Sequence, residues 1–250
     1  MGTRITTQKR GKGSPRFRTP KHRYVTDTQY PAQGGTGQLM DFKDDPGRSV
    51  LLAKVLFEDG KRFFYTPAAE GQKQDDKLYV TTPSKHGEEP EELDVENLKT
   101  GSVLQLGSVP DGTLVFNIER VPNDGGKIAR SSGTFATVVS HDEDTNKVTL
   151  SLRSKKEVVL NPLCRATIGV ASGGGRLEKP IKKAGTHFYI SKARGKLWPK
   201  VRGTTMSAYD HPHGGVALGK SNTVKRSTSP GRKVGLIAAR RSGRGKGKKR

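Results

Sequence analysis

The central part of the chain, from residue 37 to about residue 160, has a hydrophobic period of two. Ala53, Val55 and Phe57 alternate with partly polar neighbours, and Val148 and Leu150 continue the same pattern further along. Successive side chains of a β-strand point to opposite faces of the sheet, so this alternation predicts short, half-buried strands. Many short strands separated by Gly and Asp turns are typical of small β-barrels.

The clearest local prediction is a hairpin. Asp59 and Gly60 lie between an apolar run that ends at Phe57 and a second run at residues 62–65. Asp-Gly between two such runs is a strong hairpin signal, because a tight turn needs residues that tolerate a positive φ. Further strands are predicted at residues 78–80, 103–106, 114–118, 135–139, 148–152 and 158–160. No segment shows a convincing amphipathic helix, and both ends of the chain lack any period.

The distribution of charge adds a second division of the chain. The formal net charge of +22 separates into +7 for residues 1–36, −6 for 37–112, +3 for 113–180 and +18 for 181–250. A folded centre between two cationic arms is typical of a protein that binds a polyanion. We therefore predict basic extensions at residues 1–36 and 187–250 around a folded β-rich centre.

Composition excludes several classes of protein. The single cysteine, Cys164, excludes an internal disulfide framework and fits a reducing compartment. We predict Cys164 to be a small buried residue at the end of a strand rather than a nucleophile. No apolar run approaches the roughly 20 residues that span a bilayer, and no signal peptide is evident, so no membrane partner is expected.

Four patterns suggest other chemistry but lack the context that it needs. Residues 214–221 match the spacing of a phosphate-binding loop, yet no buried strand precedes them and no helix follows. His211 and His213 flank a proline and do not close a metal site alone, and residues 173–176 resemble only half of a dinucleotide fingerprint. The acidic residues 88–96 are interpreted as a solvated loop. No enzyme activity, catalytic residue, small-molecule substrate or protein-bound metal is predicted.

Several long motifs resemble the universal family of ribosomal large-subunit protein two, which binds rRNA. The resemblance rests on residues 125–133, 164–169, 173–176 with 179–181, 198–203 and, above all, on the His-containing residues 202–215. Residues 8–13 and 231–238 are similar to the archaeal and eukaryotic cytosolic branch. The chain departs from the family pattern at Val216, where a third glycine is usual, and in the shortened stretch that follows.

The resemblance implies a mainly β fold, with an OB-like barrel at residues 37–96 followed by an SH3-like barrel at residues 97–186. It implies as well that both termini are threaded into rRNA. It also implies a structural constituent of the large subunit that lies near the peptidyl transferase centre and supports assembly, subunit association and translation. The implied partners are large-subunit rRNA, neighbouring ribosomal proteins and the small subunit. No cofactor is implied beyond Mg²⁺ or K⁺ ions belonging to the rRNA. The implied location is the cytoplasmic ribosome, with nucleolar assembly if the source is eukaryotic.

The residues expected to contact RNA are cations, stacking side chains and small residues of the motifs. In the N-terminal extension they are Arg4, Lys9, Arg10, Lys12, Arg16, Arg18, His22 and Arg23. In the barrels they are Arg48, Lys127, Arg130, Ser131, Arg165, Gly174, Arg176, Lys182 and Lys183. In the tail they are Lys192, Arg194, Lys196, Trp198, Lys200, Arg202, Met206, His211, His213, Gly214, Lys220, Arg232, Lys233, Arg240 and Arg241.

Charge alone leaves one alternative open. A free RNA-binding or DNA-binding protein, such as a chromatin protein or an RNA chaperone, would also carry cationic arms. Such a protein would bind DNA as well as RNA with no preference for rRNA. The long motifs argue against it, because binding by charge alone does not require them.

Overall fold

A computed structural model describes residues 3–60, 62–83, 98–142, 145–215 and 223–239. By its internal contacts the chain divides into two units. Residues 21–182 form one of them, called here the β unit. Residues 1–20 and 183–250 form the other, called here the basic unit.

The described residues of the β unit contain ten strands that form one continuous sheet. In sheet order they run β3-β2-β1-β4-β5-β10-β6-β7-β8-β9. The strands are β1 (Gly35–Lys43), β2 (Leu52–Phe57), β3 (Phe63–Pro67), β4 (Lys77–Val80), β5 (Val103–Gln105), β6 (Leu114–Phe116), β7 (Ala136–Asp142), β8 (Lys147–Leu152), β9 (Glu157–Leu160) and β10 (Arg165–Ile168). The predicted mainly β class is confirmed.

The described residues of the sheet form two large hydrophobic cores, one for each half, and a small third cluster that includes Ala69 and Phe116 and draws on both halves. Leu39, Val55 and Leu78 lie in the core of the β1–β4 half, and Leu104 and Leu150 lie in the core of the β5–β10 half. The halves are joined in the sheet by a single parallel pairing, between Val80 of β4 and Val103 of β5. The sheet itself is therefore a thin connection, and other contacts must hold the halves together.

The predicted hairpin and alternation are confirmed. Strands β2 and β3 pair antiparallel, and Gly60 takes a φ of +66° in the turn between them. Ala53, Val55 and Phe57 are buried along β2, as the period of two requires. Only a strand end at Cys164 was predicted for β10, and its extent was not, because all four of its residues are buried and show no alternation.

A buried ion pair links β10 to the loop after β6. Glu119 is fully buried, and its carboxylate accepts hydrogen bonds from the backbone N–H groups of Asn123, Gly125 and Arg165. The Arg165 guanidinium completes the set, donating to Glu119 at 3.1 Å and to the Pro31 carbonyl at 2.8 Å. A buried charge is tolerated only when it is paired and hydrogen-bonded, and Glu119 meets both conditions.

Tyr30 crosses between the two halves beside this ion pair. Its ring belongs to the core of the β1–β4 half, and the Arg165 guanidinium carbon lies 5.3 Å from the ring centroid. The hydroxyl donates to the Asn117 carbonyl at 2.6 Å and bonds the Thr167 hydroxyl at 2.7 Å. Burial raises the pKa of Tyr30, so the hydroxyl stays protonated and can donate its hydrogen bond to the Asn117 carbonyl.

The described residues of the basic unit contain two α-helices and one pair of short strands. These are helices α1 (Thr6–Gly11) and α2 (Ala184–Ala193) and the parallel pair of two-residue strands β11 (Thr223–Val224) and β12 (Leu236–Ile237). Helix α2 was not predicted, because it has no amphipathic pattern. Its large apolar residues Phe188, Tyr189 and Ile190 are consecutive and exposed, so they spread around the helix and leave no period to detect.

Removing the Arg165 guanidinium should destabilise the β unit strongly. We expect Arg165→Ala to lower the free energy of unfolding by about 3–5 kcal/mol, because Glu119 would stay buried without its counter-charge. Urea denaturation of the full chain measures the change. The control is Arg62→Ala, which breaks an exposed pair with Asp59 and should cost less than about 1 kcal/mol. Equal losses in both variants would contradict a structural role for the buried pair.

Candidate nucleic-acid interface

The division of charge follows the division into units. The basic unit carries 24 Lys and Arg residues and one acid, Asp210, whereas the β unit carries 22 Lys and Arg residues and 23 acids. Among the described residues of the basic unit only Ile5, Ser191 and Gly214 are buried. This unit therefore concentrates positive charge on a surface that encloses almost no core.

Hydrogen bonds join the N-terminal arm to the tail within the basic unit. The Thr3 N–H donates to the Tyr209 carbonyl at 3.0 Å, and the Thr3 hydroxyl donates to Asp210 at the same distance. Further along, the Thr19 hydroxyl donates to the Arg194 carbonyl at 3.1 Å. Two segments that lie far apart in sequence thus supply one cationic surface.

Residues 202–215, called here the histidine loop, form a compact structure of their own. Backbone bonds run from Met206 N–H to the Gly203 carbonyl and from Gly215 N–H to the Met206 carbonyl, and the Ser207 hydroxyl donates to Asp210 at 3.0 Å. A Cβ at Gly203 would collide with the His211 ring, and a Cβ at Gly214 would collide with the Ser207 carbonyl. Both glycines are therefore needed for the close approach of the chain to itself.

His211 is held by its neighbour in this loop. The His213 N–H donates to His211 Nδ1 at 3.0 Å, and the two imidazole rings lie 4.9 Å apart. Burial, and next the adjacent His213, lower the pKa of His211. A neutral imidazole is required here, because Nδ1 can accept the His213 N–H only when it carries no proton.

The β unit contributes a second group of cations, which we call the arginine cluster: Arg48, Arg130, Arg153 and Arg176. Three loops meet there through short contacts. The Ser132 N–H donates to the Ser49 hydroxyl at 3.2 Å, and Arg176 Nε donates to the Ser132 hydroxyl at 2.9 Å.

Two glycines allow these loops to meet. A Cβ at Gly133 would lie 2.6 Å from the Cα of Gly174, and Gly133 has a φ of +66°. The motif residues 125–133 and 173–176, which are separated by some 40 positions, are thus brought into contact.

Like charges approach one another within the arginine cluster. Burial, and next the nearby Arg48 guanidinium, lower the pKa of Arg130. Arg130 is oriented by the carbonyls of Thr28 and Gly126, each at 3.0 Å, and Arg48 pairs with Asp45 and lies over the Tyr24 ring. Arg153, which the sequence analysis did not select, donates to the Gly133 carbonyl at 2.9 Å. Its proximity to the glycine motif is a tertiary property with no local signal.

The residues predicted to contact RNA differ in how exposed they are in the structure. Exposed are Arg4, Lys9, Arg10, Lys12, Arg16, Arg18, His22, Arg23, Lys127, Ser131, Arg176, Lys182, Lys183, Lys192, Lys196, Lys200, Arg202 and Arg232. Half-buried are Arg48, Arg130, Gly174, Arg194, Trp198, Met206, His211, His213 and Lys233. Gly214 is buried, and the prediction for Arg165 is corrected. Its side chain is 3% exposed and bound to Glu119, so it cannot reach a phosphate.

Some sequence predictions lie outside the described residues. These are Lys220, Arg240 and Arg241, the acidic residues 88–96, and the stretch from Val216 to residue 222. In the described residues before that stretch, the histidine loop consists of turns and a short 3₁₀ helix at Gly203–Thr205, and no strand leads into Gly214. A phosphate-binding loop would need such a strand.

The described residues contain neither a metal-binding group nor a membrane-spanning helix. No group of three or more His, Cys, Asp or Glu side chains there is arranged to hold a metal ion. No helix in that part of the chain has the length and apolar character to cross a membrane. Cys164 is buried, as predicted, and burial raises the pKa of its thiol to about 12, which keeps it protonated and unreactive.

Comparison with known proteins gives one consistent result. The family model described as Ribosomal Proteins L2, C-terminal domain, matches residues 99–232. Large ribosomal subunit protein uL2 of Methanococcus aeolicus is 44% identical over 255 residues, which cover 98% of this chain and 100% of that protein. The proteins of the same name from Korarchaeum cryptofilum and Natronomonas pharaonis are 44% and 43% identical, over 98% of this chain and 97% and 98% of theirs.

Protonation of His211 should loosen the histidine loop. Because the pKa of His211 is lower in the folded chain, the unfolded chain binds this proton more readily. The contribution of neutral His211 to folding stability is therefore full above about pH 6.5, and it is lost as the pH falls through the pKa of the folded state. An NMR titration should give His211 a lower pKa in the folded chain than in the urea-unfolded chain. His213→Ala should raise the pKa of His211, since it removes the neighbouring ring. A pKa of His211 in the folded chain that equals or exceeds its pKa in the unfolded chain would contradict this geometry.

Proposed function

Because this chain belongs to the ribosomal protein L2 family, we propose that it serves as a structural constituent of the large ribosomal subunit and binds large-subunit rRNA. The observation that carries this function is the basic unit, in which 24 cations face a single acid. Such a surface requires a polyanion to neutralise it, and rRNA supplies phosphates at high density. The role is one of binding and packing rather than catalysis.

The binding energy comes mainly from phosphate neutralisation. Each cation that reaches a phosphate releases condensed counterions, and this release depends steeply on salt. The exposed Lys and Arg residues of the arm and tail are suited to this role, because the unit offers almost no acid with which they could pair. The arginine cluster supports a second contact, where guanidinium groups already oriented by Thr28, Ser132 and Gly133 lose little entropy on binding.

The finer location follows from the resemblance. We propose that the histidine loop approaches the rRNA around the peptidyl transferase centre, and that the protein supports subunit assembly and association there, beside other ribosomal proteins and facing the small subunit. The geometry supports a packing role for His211, because its Nδ1 is already engaged by the His213 N–H. The place of action would be the cytoplasmic ribosome.

The full chain should sediment with large ribosomal subunits at moderate salt. We expect it to stay with that particle when an excess of total DNA is added, because the motif-bearing loops recognise rRNA beyond its charge. Sucrose-gradient sedimentation followed by detection of the chain measures the distribution. Transfer to the DNA would favour the free nucleic-acid binder over a ribosomal constituent, and absence from the large subunit without DNA would refute the proposal.

Removing one cation from the arginine cluster should reduce the salt dependence of rRNA binding. We expect Arg176→Ala to lower the slope of log K against log salt by about 1, which corresponds to one lost phosphate contact. Filter binding to purified large-subunit rRNA over a range of salt measures the slope. Arg62→Ala is the matched control, since Arg62 is an exposed arginine of the β2–β3 hairpin paired with Asp59, and its slope should be unchanged. The same slope in both variants would exclude Arg176 from the interface.

A further inference from the structure

A cleft in the basic unit combines aromatic and cationic walls. Its apolar lining comes from Pro15 and Pro20 of the N-terminal arm, Phe188 of α2, and Leu197 and Trp198 of the tail. The cavity has a volume of about 330 Å³, within the range of about 300–1,000 Å³ usual for ligand sites. We call it the aromatic cleft. Because both the arm and the tail form its walls, it exists only when they are folded together.

The aromatic side chains are partly fixed before any ligand arrives. The Trp198 ring is half-buried and packs on His187, with ring centroids 4.4 Å apart and planes 30° from parallel. Phe188 is 40% exposed and lies against Tyr189 in an edge-to-face arrangement at 5.5 Å. Rings held in this way offer a planar apolar surface at little cost in side-chain entropy.

Cations complete the lining of the cleft. Arg16, Arg18, Lys192 and Lys196 all contribute to its wall and are exposed. Among the described residues none of the four forms an ion pair with an acid. The cleft therefore has an apolar, aromatic part and a purely positive part, and its occupant must be planar and apolar on one side and anionic on the other.

We propose that the aromatic cleft holds one unpaired nucleotide of the bound RNA, with its base against Phe188 and Trp198 and its phosphates beside the surrounding cations. This inference rests on the proposed function, since it names the part of the RNA that the basic unit selects. Base stacking on aromatic side chains is how proteins recognise unpaired nucleotides, because bases inside a duplex are stacked on one another.

A neighbouring cavity supports a strand that continues past the cleft. It has a volume of about 420 Å³ and shares Lys196 and Leu197 with the aromatic cleft. Arg10, Phe17 and Lys200 line its other sides. Repeated aromatic and cationic lining on both sides of Lys196 fits the backbone of a single RNA strand, whose charge and bases recur at each nucleotide.

The only tryptophan of the chain gives a direct test, because its fluorescence reports on Trp198 alone. The full chain is titrated with a short oligouridylate, with an oligomer of the same length made of abasic nucleotides, and with an RNA duplex of matched charge. Binding is followed separately by the anisotropy of a label on each RNA. We expect all three to bind at low salt and only the oligouridylate to quench Trp198 strongly.

A pair of variants tests the walls of the cleft. Phe188→Ala should weaken binding of the oligouridylate roughly 5- to 150-fold, the effect of losing one stacked base, and leave binding of the abasic oligomer unchanged. Tyr189→Ala is the matched control, since Tyr189 is the adjacent aromatic residue of α2 and lies outside the cleft lining. Because it removes only the edge-to-face contact with the Phe188 ring, it should weaken binding of the oligouridylate by less than Phe188→Ala does and leave binding of the abasic oligomer unchanged.

The outcomes separate this inference from the proposed function. Equal quenching by the abasic oligomer, tight binding of the oligouridylate without quenching, or equal losses in Phe188→Ala and Tyr189→Ala would overturn the nucleotide site while leaving RNA binding intact. Failure of all three RNAs to bind at low salt would overturn the proposed function as well.

Discussion

Repulsion between like charges is the constraint on which the rest of this molecule depends. The basic unit gathers 24 cations and one acid, yet only three of its described residues are buried. Little apolar burial opposes the repulsion in that unit, so an anionic partner placed between the cations would stabilise it. The loops of the unit are bonded to themselves, as Ser207 is to Asp210, rather than supported by a core.

The β unit differs from the basic unit in both charge and burial. Its positive and negative charges nearly balance, and it has two large hydrophobic cores that the sheet joins through a single pairing. Tyr30 and Arg165 add hydrogen bonds across the boundary between the halves, to the Asn117 and Pro31 carbonyls, and Glu119 holds Arg165 in place. A small apolar cluster that includes Ala69 and Phe116 adds a further contact between the halves. A rigid β unit then presents the glycine loops and the arginine cluster in fixed positions, which a chain of charge alone could not do.

The sequence predicted much of the fold because the relevant signals are local. Alternation identified β2 and β8, and Asp59 with Gly60 identified the hairpin, since each signal lies within a few neighbouring residues. The extents of strand β10 and helix α2 were not predicted from the sequence, because β10 is buried on both faces and the apolar residues of α2 do not share one face. For the candidate site the sequence identified the residue types, but it placed Arg165 with the surface cations and overlooked Arg153.

Charge, motifs and periodicity by themselves determined the class of partner, the family and most of the strands, since these properties depend on composition and on adjacent residues. Only the tertiary structure decided which cations share a surface. Whether an arginine binds a phosphate or a buried carboxylate depends on what lies opposite it, and Glu119 stands 46 positions from Arg165. The aromatic cleft is a property of the same kind, because Pro15 and Trp198 meet only when the arm folds against the tail.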